Sequence, residues 1–217
     1  MGVFLWDGDT ATAARHAEDS LALATQLDDR YGTALSLDTM ARVAAHDSDY
    51  ARARPLLERA LVLARRLEHR QVMYGALIVL GRVALAAGDA QEANRLLVEA
   101  LVLANEAGDS WYIADALEAI GGSVVVSQPE RTVRLAGAAA GLRQRLGFTA
   151  SAIDRDWIVQ RLEAAHSILG EPPYVAAWKE GISRSVDEAV QYALTDQAPH
   201  ATARSGAAHR AGLDHES

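Results

Sequence analysis

Two arginines carry the strongest chemical signal in this chain. Arg42 and Arg82 each stand just beyond a small residue, Ala41 and Gly81, within matching segments of sequence. Two guanidinium groups on neighbouring helices can clamp a carboxylate, because the planar fork of arginine pairs with it bidentately. Arg42 has a local competitor in Asp38, one helical turn earlier, a pair worth a few tenths of a kcal/mol. Ile78 occupies the matching place before Arg82, so Arg82 is expected to be the more available cation. The next unit has Gly122 at this position. The expected ligand is an acidic peptide or chain terminus. Arg82→Glu is expected to abolish its binding and to leave the fold intact.

Other chemistry has little to stand on. No Gly-x-x-x-x-Gly-Lys-Ser/Thr motif is present, so there is no phosphate-binding loop. Gly121-Gly122-Ser123 lacks a following lysine and sits in helical register, which reads as close packing. Seven histidines are scattered, and none forms a His-x-x-x-His or His-Glu-x-x-His pair. His200, His209 and His215 fall in an aperiodic tail. Asp7-Gly8-Asp9 is a scrap of a calcium loop and reads better as a helix cap. No Gly-x-Ser-x-Gly elbow exists, and the absence of cysteine removes disulfides, thiolate metal sites and a cysteine nucleophile. The expectation is a non-enzymatic protein with no catalytic residue, cofactor or metal. Formal net charge is −8, and Arg52, Arg54, Arg65 and Arg66 are balanced by Asp49, Glu58 and Glu68. Direct nucleic-acid binding is therefore not expected.

These residues need helices to position them, and the helices repeat. Gly8-Asp9-Thr10-Ala11-Thr12-Ala13 aligns with Ser48-Asp49-Tyr50-Ala51-Arg52-Ala53 and with Gly88-Asp89-Ala90-Gln91-Glu92-Ala93. A fixed period in the range of about 20–50 residues marks a solenoid. Each unit reads as two helices. Val72, Ala76, Leu80, Val83 and Ala84 form one apolar stripe; Ala93, Leu96, Leu97, Ala100, Leu101 and Leu103 form the next. Gly88 can end a helix in a left-handed conformation, and Asp89 can cap the one that follows. Small residues recur at Ala41, Gly81 and Gly121, and at Ala13, Ala53 and Ala93, where paired helices must approach closely. A fourth unit begins at Ser110, with Pro129 in its internal turn and Val133 to Leu146 as its second helix. Gly137 and Gly141 replace Leu97 and Leu101 there.

Leu80-Gly81, Gly88-Asp89, Ala93 and Ala100, with Met40-Ala41, Asp49-Tyr50, Ala53 and Ala60, resemble the tetratricopeptide repeat (TPR). The usual period of that family is shorter, about 34 residues, so helices longer than standard are implied. The resemblance implies an all-α, TPR-like helical solenoid with a C-terminal helical cap, its long helix pairs of about 40 residues falling within the range of helical repeats. It also implies that first helices line a concave face, where a protein or peptide lies. The expected organisation is repeats over 1–146, a helical cap over 147–195 and a disordered tail over 196–217, with roughly ten to eleven helices. In the cap, Asp154 to Leu169 reads as a helix, and Ser185-Val186-Asp187-Glu188 as a capping box.

Arg134 to Arg143, Leu169-Gly170-Glu171, Ala177 to Gly181 and Asp187 to Val190 resemble the C-terminal end of actinobacterial LuxR-type ATPase transcription regulators. That implies a sensor or scaffold segment of such a regulator. A TPR module joined to an ATPase or nucleotide cyclase, or a stand-alone adaptor, are the alternatives. Phe4-Leu5-Trp6 falls in the register of the last turn of a first helix, so the chain is expected to be the C-terminal piece of a longer protein and to self-associate through this end; the alternative is that Val3 to Trp6 folds back as a hydrophobic plug. No apolar run reaches the roughly 18 residues a membrane span needs. No secretory leader is recognised, which gives a cytoplasmic expectation.

Overall fold

Helix starts at Thr10, Arg30, Tyr50, Arg70, Ala90 and Ser110 recur at a constant interval along the first half of the chain. In the computed structural model, residues 9–195 are described. Helices α1 (Thr10–Gln26), α2 (Arg30–His46), α3 (Tyr50–Arg66), α4 (Arg70–Ala86) and α5 (Ala90–Glu106) have 17 residues each. Then follow α6 (Ser110–Ser123), α7 (Pro129–Leu146), α8 (Ala152–Leu169), α9 (Glu171–Ser183) and α10 (Val186–Thr195). The Phe4-Leu5-Trp6 segment and the tail over 196–217 lie outside the described residues.

The same connector makes each of the first five turns. A residue in the left-handed region precedes the cap: Asp28, Ser48 and Glu68 without glycine, then Gly88 and Gly108. The cap side chain then accepts an amide hydrogen from the first turn of its helix. Asp9 takes that of Thr12, Asp29 that of Gly32, Asp49 that of Arg52 and Asp89 that of Glu92, all at 3.0–3.1 Å. Asp109 does this for Tyr112, and His69 Nδ1 for Val72. Each cap satisfies one amide that a helix start leaves unpaired, typically worth about 1 kcal/mol. At about 1.5 Å per residue, these equal helices are rods of about 26 Å that stack in register.

Consecutive helices from α1 to α7 pack antiparallel, and α4 also touches α2 and α6. These three form one layer, with α1, α3 and α5 outside it. Small residues set the spacing within pairs. Ala13, Ala41, Ala53 and Ala93 are fully buried. A Cβ on Gly81 would overlap the Leu97 side chain, and one on Gly121 would press on Leu135 and the Thr132 backbone. Gly121-Gly122 is therefore close packing within α6. The fourth unit departs from the reading at Pro129, which is the first residue of α7 and not part of a turn. Proline is well placed there because that amide has no helical partner.

The C-terminal helices close over the array. Helix α9 lies against α7 so tightly that Cβ atoms on Gly137, Gly141 and Gly181 would each strike backbone of the facing helix. This is why glycine replaces the leucines of the earlier units. The Ser185–Glu188 box starts α10, with each backbone amide bonded to the other residue's side chain at 2.8 and 3.2 Å. Helix α10 adds Ala189, Val190 and Ala193 to the main core.

Ala93→Glu tests this packing. The variant buries an unpaired carboxylate between α4 and α5, so its urea midpoint should drop by the equivalent of several kcal/mol; a midpoint equal to the parent's would contradict the contact.

Candidate functional site

The inner layer is polar where the cap covers it. Gly147 takes a left-handed conformation after α7, and the chain turns back so that α8 lies against α6 and α7. Ser151 caps α8 by accepting the Asp154 amide at 3.2 Å, and its hydroxyl donates to Asp154 Oδ2 at 2.6 Å. Asp154 is thereby fixed in the first turn of α8, facing α4.

Arg82 meets it there. Arg82 Nη1 donates to Asp154 Oδ1 at 2.6 Å, and only 8% and 9% of the two side chains are exposed. Arg82 thus has a partner 72 residues away that no local pattern announces. The guanidinium carbon also lies 4.5 Å from the centre of the Trp157 ring. Its Nε and Nη2 are buried and have no hydrogen-bond partner. Arg42 is paired as its spacing suggests, with Nε donating to Asp38 Oδ2 at 2.8 Å. The third register position, Gly122, gives the Trp157 ring its room, since a Cβ there would overlap it.

Behind this pair lies a second cluster. Arg143 on α7 donates to Asp115 at 2.7 Å and to both oxygens of Glu118, one at 3.0 Å; all three side chains are buried. Burial works against the Asp154 charge, but Arg82 and Arg42 and the Ser151 hydroxyl outweigh it and hold the carboxyl at about 2. At Asp115 burial wins. Together with the nearby Asp154 charge it outweighs Arg143 and lifts Asp115 to about 7. Glu118 is also raised, first by burial.

A cleft of about 220 Å³ opens between this inner layer and α8. Arg42 and His46 of α2, Tyr50 of α3, Val79 and Arg82 of α4, and Trp157 and Arg161 of α8 are on its walls. Both arginines singled out by spacing therefore share one opening. Sequence reasoning missed Asp154, Trp157 and Arg161; the only advance signal was Gly122, an interruption of the arginine register. Elsewhere the surface cations pair between repeats: Arg52 with Glu18 at 3.2 Å and Arg65 with Glu99 at 2.6 Å. Among the described residues, no group of three His, Cys, Asp or Glu is placed to hold a metal ion. No described helix is long and apolar enough to cross a membrane.

No protein-family model matches the chain, and neither a curated protein nor a solved structure does. The class of protein is thus given by architecture alone: an all-helical array of stacked helix pairs closed by a helical cap.

Stability should depend on pH through Asp115. A carboxyl whose folded pKa of about 7 exceeds the unfolded value of about 4 binds its proton more tightly when folded. Its contribution is then present at low pH and is lost as pH rises from about 4 through 7. Asp154 acts oppositely, adding stability above about 4 that disappears as pH falls towards 2. Thermal melts between about pH 5 and 8 should therefore show Asp115→Asn gaining on the parent as pH rises. A constant difference between the two across that range would contradict the raised Asp115.

Proposed function

We propose that this chain is a non-catalytic, protein-binding helical array that serves as a sensor or scaffold segment of a larger regulator. It receives an acidic peptide or chain terminus at the cleft bearing Arg42 and Arg82. The observation that carries this reading is the convergence of those two arginines on one open cleft. Stacked helix pairs with a long continuous face are the kind of scaffold that binds extended partners. The likeness of the repeat units to TPR units and of the cap to LuxR-type regulators supports the same direction, with a cytoplasmic site of action.

The pairing of Arg82 changes how this must be tested. Arg82→Glu would set two carboxylates together in a buried place and leave Asp154 without its cation, so this variant is expected to lose stability and not to keep the fold intact. Asp38→Asn/Arg42→Gln is the better probe, because it removes a cation together with its own partner. Random peptides displayed on phage and selected on the full chain should be enriched in Asp, Glu or a free C-terminus. They should bind the double variant roughly ten- to a hundredfold more weakly, the loss of one charge-assisted contact of about 1.5–3 kcal/mol. Enrichment without acidic groups, or equal affinity for the double variant, would overturn the reading.

A further inference from the structure

Charge pairing in the cleft is incomplete, and α8 is the reason. Three guanidinium groups line it: Arg42, Arg82 and Arg161. Asp38 pairs with Arg42 and Asp154 with Arg82. Arg161 forms no ion pair among the described residues. Its one polar contact is local, Nη1 donating to the Trp157 carbonyl at 3.1 Å. Its guanidinium carbon lies 3.6 Å from the centre of the Trp157 ring, so Arg161 and Arg82 both face that one indole. Burial first, and then the Arg82 charge, push the Arg161 pKa down to about 10. The acids on the walls are Asp154, already engaged, and the exposed Asp156. Ser48 and Tyr50 bring the first turn of α3 to the same opening, and Ile153 and Asp154 bring that of α8. Helix starts present amide hydrogens and a positive dipole end.

The Nε and Nη2 of Arg82 are buried without a partner, so its guanidinium is only partly satisfied by Asp154. An oxyanion entering the cleft meets Arg82 on its wall and neutralises Arg161. We propose that the cleft between α2, α4 and α8 is a binding site for one compact oxyanion, a carboxylate or phosphate group, held by Arg82 and Arg161 over Trp157. The inference deepens the reading above and rests on its placing the ligand at this cleft. It adds that the cap helix, and not the repeats alone, supplies half of the site. At about 220 Å³ the space is below the roughly 300–1,000 Å³ of sites that take drug-sized ligands, so it fits the acidic end of a ligand and not its whole body.

The test uses the full chain labelled with ¹⁵N, titrated at constant ionic strength with inorganic phosphate and, separately, with succinate. Saturable shifts should appear at the Trp157 indole N–H and the amides of Ser48, Tyr50 and Ile153. The tighter of the two probes names the group, phosphate or carboxylate. Arg161→Gln leaves no buried acid orphaned, so its melt should match the parent while affinity falls roughly tenfold; Arg161→Lys should retain part of it. Neither probe saturating at tens of millimolar, shifts spread over the surface, or Arg161→Gln binding as the parent does would overturn the site. Should the anions bind while displayed peptides show no acidic preference, the site stands and the peptide reading fails. Acidic peptides that still bind Arg161→Gln fully would do the opposite, keeping the peptide reading and removing Arg161 from the site.

Discussion

A buried charge must find a partner, and that constraint shapes this molecule more than any other. Arg82 sits in the last third of α4, a helix buried on nearly every side. An uncompensated guanidinium there costs several kcal/mol. Asp154 supplies the compensation from α8, and the Ser151 cap holds Asp154 in place to do so. One ion pair thus fixes where the cap helix must start, which way it faces and which side of the array it covers. Trp157, about one turn further along α8, then falls over Gly122.

The remaining polar groups fit around this pair. Arg143 draws Asp115 and Glu118 together beneath it, binding α6 to α7. Asp154 and Asp115 repel each other, and burial works against both charges; Arg82, Arg42 and the Ser151 hydroxyl outweigh it at Asp154, whereas at Asp115 burial and the Asp154 charge outweigh Arg143 and Arg82. The array and its cap are therefore joined by charge as well as by apolar contact. The price is Arg82 Nε and Nη2, both buried without a hydrogen-bond partner.

Much of the fold was legible in the residues. The repeat period, the small residues at Ala41, Gly81 and Gly121, and the caps at Asp49 and Asp89 all appear in the structure as read. A finer period, half as long, was also written there: Asp9, Asp29, Asp49, His69, Asp89 and Asp109 mark evenly spaced helix starts. Three turns without glycine hid it, because Asp28, Ser48 and Glu68 take a left-handed conformation that glycine usually advertises. The site was half legible. Arg42 and Asp38 pair through local helical spacing, which a sequence shows directly. Arg82 and Asp154 pair across 72 residues, and nothing local specifies such a contact. Gly137 and Gly141 looked like a fading repeat and are instead the track on which α9 lies.

The claim that the Arg82–Asp154 pair anchors the cap to the array is tested most directly by a double-mutant cycle. Urea unfolding of Arg82→Met, Asp154→Asn and the combined variant isolates the pairwise energy. The account predicts that each single change is strongly destabilising and that the double variant recovers part of the loss, with a coupling energy of more than about 1 kcal/mol. Effects that simply add would contradict it, leaving α8 held by Trp157 and its apolar neighbours alone.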